Sequence, residues 1–271
     1  MKTIIVGFDF STGSAHAVDL AIDIANRWKL DVRLVYVKER NEDEAPIREE
    51  IERRNLAVAH LLKGIRLNYV IREGKVPTEL SKQAEEDEAA LVVVGTNGMS
   101  GSKKNWIGTN TYQTITTSKV PVLSVREEYQ FNKKMERIVL PMDSTPTTRQ
   151  KAGIAALVAK TFDSEVHVIG LYSSDNKSHH QRVKSYVNQV SRHLAHENIR
   201  YIEKDLDAPK NLTQTTLEYA DEINADLIII MTEQEHTLSN IIMGSYAQQM
   251  LKTSNIPVLT VRPEDINSVS R

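Results

Sequence analysis

The segment from Val92 to Arg126, VVVGTNGMSGSKKNWIGTNTYQTITTSKVPVLSVR, occurs twice in recognisable form along this chain. A largely β-branched run, Leu91 to Val94, stops at Gly95. Gly98 follows, then Gly108-Thr109, a helix-like stretch and an apolar strand from Pro121 to Val125. The pattern returns 136 residues later, from Ile228 to Arg262. Between Gly108–Arg126 and Gly244–Arg262, nine of nineteen positions are identical. Gly108 matches Gly244, Thr109 matches Ser245, and Pro121-Val122-Leu123 matches Pro257-Val258-Leu259, whereas Gly95 and Gly98 correspond to Met231 and Gln234. A strand, loop, helix and strand repeated at this distance make the chain a duplication of one α/β module. One copy kept the loop glycines and the other lost them.

The 271 residues divide into two halves of ordinary domain size, 1–128 and 136–264. The polar nine-residue segment Glu127 to Met135, EEYQFNKKM, joins them. A net charge of −2 implies no broad basic surface, so nucleic acid is not an expected partner. The absence of cysteine excludes disulfides, thiolate metal sites and cysteine nucleophiles. Met1 to Phe8 is a short apolar run ending at Asp9, too short for a signal sequence. No stretch approaches the ~20 apolar residues of a membrane span. A cytoplasmic protein without a membrane partner is expected.

Strand and helix signals alternate through both halves. In the first, strands are expected at Thr3–Phe8, Val32–Val37, Leu67–Ile71, Leu91–Val94 and Val122–Val125. Helices are expected at Ser14–Lys29, Asn41–Lys63, Thr78–Glu86 and Thr109–Ser118. Val18, Ile22, Ala25 and Trp28 mark one apolar face of the first helix, and Pro77 suits a helix start. In the second half the strands are Arg137–Leu140, Glu165–Leu171, Arg200–Ile202, Leu227–Met231 and Val258–Val261. The helices there are Thr147–Phe162, Gln181–His196, Leu212–Ile223 and Ile242–Ser254. Short apolar strands separated by helices argue for a parallel sheet covered on both faces.

Glycines just beyond a buried strand allow close backbone approach or φ > 0, and their N–H groups suit phosphate oxygens. A hydroxyl where the next helix opens adds a donor at its positive end. The spacing G-x2-G-x9-G-[ST] from Gly95 to Thr109 has neither a Walker lysine nor the dinucleotide G-x-G-x-x-G. Lys103 and Lys104 lie inside this loop, within reach of phosphates or simply in solvent.

With the first strand running into Gly7-Phe8-Asp9-Phe10-Ser11 and a following P-V-L-x-V strand, this loop resembles the universal stress protein family over nearly the whole chain. The resemblance implies two tandem Rossmann-like, adenine-nucleotide-hydrolase-like domains. Each would have a five-stranded parallel sheet ordered 3-2-1-4-5. It further implies ATP, with or without Mg²⁺, bound by Gly95, Gly98, Gly108 and Thr109, with Gly7, Val37, Val94 and Asn110 bordering the adenosine. Asp9, with Ser11 beside it, would face the ribose or a phosphate-bound Mg²⁺. Alternatively Asp9 caps the helix that follows, and one side chain can do both. Asp143-Ser144 is the second-half equivalent, and there the cap role is favoured. Met231, Glu233, Gln234 and Glu235 bring bulk and negative charge where a phosphate loop needs neither, so that half is expected to be a scaffold.

His193 and His196 share a helix face, with His179-His180 in a loop upstream. No third metal ligand stands at a set spacing, so no metal is expected. The charged stretch Glu39 to Arg54 reads as a solvated helix face. The function expected is regulatory and stress-linked, with nucleotide in the first half and an unidentified protein partner sensing its occupancy. The rivals are a slow ATP hydrolase and a structural pseudo-dimer that binds no nucleotide. The fifth strands, Val122–Val125 and Val258–Val261, each end a sheet. Uncovered edges invite pairing, so intrachain antiparallel pairing of these two strands is expected, leaving further homodimerisation open.

Overall fold

The computed structural model of this chain describes residues 3–96, 108–129, 134–173, 176–208, 211–232, 234–236 and 241–263. It divides into two compact units, Met1–Lys133 and Lys134–Arg271. The loop residues Gly98, Lys103 and Lys104, and Glu233 in the second unit, lie outside the described residues.

The first unit runs β1 (Thr3–Gly7), α1 (Thr12–Trp28), β2 (Asp31–Lys38), α2 (Glu44–Val58), a 3₁₀ turn (Ala59–Leu61), β3 (Leu67–Glu73), α3 (Val76–Glu86), β4 (Leu91–Gly95), α4 (Thr109–Thr117) and β5 (Val122–Val125). Its strands are all parallel, in the order β3-β2-β1-β4-β5. The central strands are continuous apolar runs because helices cover both faces. Ile4, Ile5, Val6 and Leu91 to Val94 are all buried. Helix α1 lies against β1 and β4 through Ala17, Val18, Ala21, Ile22 and Ala25. It starts because the Ser11 hydroxyl accepts the Ser14 N–H, and stops at Lys29, whose φ of 57° ends the spiral. The stretch expected to be a solvated face behaves so: Arg48–Glu44 and Arg53–Glu49 pair at i,i+4 on α2, while Ile47 and Ile51 face inward.

The second unit repeats the plan with β6 (Arg137–Met142), a 3₁₀ turn (Pro146–Arg149), α5 (Ala152–Phe162), β7 (Glu165–Tyr172), α6 (Lys177–His196), β8 (Tyr201–Asp207), α7 (Leu212–Glu222), β9 (Leu227–Met231), β10 (Gln234–His236), β11 (Ile241–Met243), α8 (Ser245–Thr253) and β12 (Val258–Val261). Its parallel order is β8-β7-β6-β9-β12. Both units therefore have the expected 3-2-1-4-5 arrangement.

Five expectations for this unit need correction, the first being that the helix expected from Thr147 opens as a 3₁₀ turn and is α-helical only from Ala152. The helix expected from Ile242 begins at Ser245, because Ile241–Met243 pairs antiparallel with Gln234–His236 as a hairpin. Strand β6 continues past Leu140 through Pro141. That is tolerable because pairing with β9 ends at Val139↔Ile228, beyond which the missing proline N–H interrupts no ladder on that side. Strand β8 extends to Asp207 through Glu203, Lys204 and Asp205, since its exposed faces accept charge. His179 and His180 sit in the first turns of α6 rather than in a loop, after Asn176 caps the helix by accepting the Ser178 N–H.

Candidate functional site

Strand order reverses at β1 in the first unit, with β2 on one side and β4 on the other. The crevice beyond their carboxyl ends is where ligands bind in open α/β sheets. Gly7 ends β1 and Gly95 ends β4, and a Cβ on Gly7 would stand 3.3 Å from Val94 Cγ1 and 3.2 Å from Leu80 Cδ1. Val37 lies two residues beyond Val35, the β2 partner of Gly7. The Asp9 carboxylate turns back on its own chain: Oδ1 accepts the Ser11 N–H at 3.1 Å and the Ser11 hydroxyl at 2.5 Å. Ser11, not Asp9, is thus the N-cap of α1, and Asp9 holds the cap in place.

Gly95 is explained by packing. A Cβ there would lie 2.8 Å from the Gly13 carbonyl carbon and 2.9 Å from the Ser14 nitrogen, both backbone atoms of the first turn of α1. Close approach of the α1 backbone is thus one reason for a glycine here. Its carbonyl accepts the Thr111 hydroxyl at 2.8 Å, which ties the start of α4 to the end of β4. Gly108 donates its N–H to the Thr96 carbonyl at 2.9 Å and precedes α4 with φ −59° and ψ 143°. That is ordinary backbone, so Gly108 serves by leaving space: a Cβ would stand 3.2 Å from the Thr96 oxygen.

Among the described residues no side chain caps α4. The amide groups of a helix's first turn have no intrahelical acceptor, and they carry the positive end of the dipole. Thr109 and Asn110 are exposed on that turn. The structure therefore gathers Gly7, Asp9, Ser11, Val94, Gly95 and Gly108 around the β1–β4 end of the crevice, with Val37 along β2.

Two residues absent from the expected set also stand here. Phe10 packs its ring 4.9 Å from Tyr36, and the Tyr36 hydroxyl donates to Glu42 Oε1 at 2.8 Å. Burial, then Glu42, then Asp9 and Glu39 push the Tyr36 hydroxyl up to about 12, so it stays protonated.

The second unit keeps the frame with other residues in the same places. Asp143 Oδ1 accepts from the Thr145 N–H and hydroxyl as Asp9 does from Ser11. Gly244 precedes α8 with φ −58° and ψ 154°, nearly the conformation of Gly108. Met231, however, is a buried side chain where the first unit has Gly95. The first helical turn there is a 3₁₀ turn, with α5 starting only at Ala152. The β10–β11 hairpin occupies the segment between β9 and α8. His167 is buried and bonded to the Tyr219 hydroxyl at 2.8 Å and to Glu165 Oε1 at 3.1 Å. No group of three metal-ligating side chains occurs among the described residues. No helix among them is long and apolar enough to cross a membrane.

A model of the universal stress protein family matches residues 1–126 and 134–262. The universal stress protein YxiE of Bacillus subtilis is 28% identical over 145 residues, covering 45% of this chain and 97% of its own length. A universal stress protein of Methanocaldococcus jannaschii is 25% identical over 142 residues, 47% of this chain and 82% of its own. The crystal structure of a universal stress protein from Archaeoglobus fulgidus covers 96% of this chain and 98% of its own with a TM-score of 0.76 at 19% identity, a likeness of fold. The chain belongs to the universal stress protein family, as a tandem of two of its domains.

Proposed function

We propose that this protein binds ATP, with or without Mg²⁺, in its first unit only, and that occupancy is a regulatory, stress-linked signal sensed by a protein partner. The observation that supports this reading is the difference in what precedes two helix starts, α4 and α8, that both lack a side-chain cap among the described residues. In the first unit the uncapped amides of α4, with exposed Thr109 and Asn110, follow the glycine loop at the end of β4. In the second unit α8 starts in the same way, but a β-hairpin precedes it and Met231 stands in the place of Gly95. Triphosphate oxygens suit the amides and dipole of α4. Gly98 belongs to the same proposal through its place in the G-x2-G-x9-G-[ST] pattern. Gly7, Val37 and Val94 would border the adenosine.

Binding without efficient turnover fits the role of Asp9. It is the carboxylate best placed by sequence to orient water, yet its Oδ1 already accepts two hydrogen bonds from Ser11. Mass analysis of nucleotide released by denaturing the purified protein tests binding, with ATP expected. A steady-state phosphate-release assay separates a binder from a slow hydrolase.

A further inference from the structure

We infer that the outer edge of β8 docks an extended segment of a protein partner, one in which basic and apolar side chains alternate, as a further strand on the sheet of the second unit. The inference goes beyond the nucleotide reading and does not depend on it.

Strand β8 ends its sheet, paired with β7 on one side. The Arg200 carbonyl accepts the Val166 N–H at 2.9 Å, and the Ala208 N–H donates to the Tyr172 carbonyl at 2.8 Å. Between them Ile202, Lys204 and Leu206 turn their backbone groups toward β7 in the same alternation. Tyr201, Glu203, Asp205 and Asp207 therefore present N–H and C=O groups away from the sheet, and no backbone group among the described residues bonds to them there. A row of such groups is a template for another strand. The side chains leave the edge open as well: all of β8 except Leu206 is exposed, with Ile202 at 41%. In the first unit the same place is held by β3, where Asn68 and Glu73 alone are exposed and the Tyr69 hydroxyl donates to Glu52 of α2.

The charges select the occupant. Side chains alternate across a strand. Glu203, Asp205 and Asp207 share the face that carries α6, where Lys184 reaches Glu203 at 3.5 Å and Asp205 at 3.3 Å. Ile202, Lys204 and Leu206 share the other face. Charges on an edge discourage pairing, and here they discourage it with a second copy. Antiparallel pairing sets residues of one face opposite each other, so a two-fold pair centred on Lys204 opposes Glu203 to Asp205. Centring it on Glu203 or on Asp205 opposes that acid to itself. A strand with Lys or Arg opposite the acids and apolar residues opposite Ile202 and Leu206 meets opposite charge on one face and apolar area on the other.

The test uses the full chain without nucleotide and a fluorescein-labelled peptide, Lys-Val-Lys-Glu-Lys-Val-Tyr, followed by anisotropy. Laid antiparallel, its lysines face Asp207, Asp205 and Glu203, and its glutamate faces Lys204. The charge-reversed peptide, Glu-Val-Glu-Lys-Glu-Val-Tyr, is expected to bind at least about tenfold more weakly, because like charges then face each other. Glu203→Pro removes an outward N–H and sets a ring where the added strand must lie, while the β7 ladder keeps its bonds. It is expected to abolish binding with a wild-type far-UV circular dichroism spectrum. Glu203→Lys leaves the backbone unchanged and is expected to weaken the basic peptide about tenfold, a result that decides the matter even where the proline variant does not fold. No binding of the basic peptide to wild type, equal binding of the two peptides, or wild-type affinity in a folded Glu203→Pro or in Glu203→Lys overturns the inference. Each of these results leaves the nucleotide reading as it stands.

Discussion

Replacing Gly95 with alanine tests whether this glycine serves the helix or the ligand. The added Cβ meets two backbone atoms, Gly13 C at 2.8 Å and Ser14 N at 2.9 Å, and neither can rotate away. The first turn of α1 must shift. Overpacking of this kind costs about 1–3 kcal/mol. The same turn carries the Ser14 N–H to Ser11 Oγ cap at 3.1 Å, and its loss adds about 1 kcal/mol. The sum, about 2–4 kcal/mol, is a large share of the 5–15 kcal/mol that typically holds a domain together, at about that range. With a urea dependence of about 2 kcal/mol per molar, the middle of the usual range, the midpoint should fall by about 1–2 M. The assay is convenient because the chain's two tryptophans, Trp28 and Trp106, both belong to the first unit, so their fluorescence reports that unit alone. Gly108→Ala, whose Cβ meets one oxygen at 3.2 Å, should shift the midpoint less. If Gly95→Ala unfolds at the wild-type midpoint and loses only ATP, the helix-packing explanation is refuted and the glycine belongs to the ligand.

Three other outcomes follow from the same geometry. Gly98→Val should abolish ATP binding while Gln234→Val leaves it unchanged, as read by titration calorimetry; normal binding by Gly98→Val would place the site elsewhere. Burial holds His167 below its usual value of 6.5, so the folded state resists its protonation. Its contribution to stability is therefore complete above pH 6.5 and is lost as pH falls from there through the lowered folded value. His167→Gln should flatten that acid-side decline in thermal melts followed by far-UV circular dichroism, and an unchanged pH slope would contradict the assignment. Finally, residues 1–128 expressed alone should dimerise in sedimentation, and single cysteines at Ser124 and Thr260 should crosslink within one full-length chain, because within its own unit each fifth strand is paired on one side only. A monomeric fragment together with absent crosslinking would reject fifth-strand pairing.

The parallel frame was legible because its signals are local. β-branched runs such as Leu91–Val94 and the apolar face of Ser14–Lys29 announce their elements, and the repeat announces the second unit. What escaped depends on three-dimensional context. Ile242-Met243 reads as helix because its apolar run continues into α8, yet antiparallel pairing of Ile241–Met243 with Gln234–His236 wins. Glu203, Lys204 and Asp205 look unlike strand residues, but β8 has little core to face. The packing role of Gly95 is also invisible in the sequence, because nothing there shows that the first turn of α1 comes so close. The Phe10–Tyr36 pair was missed as well. Its signal was present in the comparison of halves, where Phe10 stands against Ser144 and Tyr36 against Gly170, but only the folded chain brings the two rings together.

The central claim is one nucleotide site per chain, in the first unit. Native mass spectrometry of the full-length protein with added ATP measures it directly. The account predicts a single adduct of one ATP per chain that disappears in Gly98→Val. Two equivalent adducts per chain, or none at saturating ATP, would contradict it.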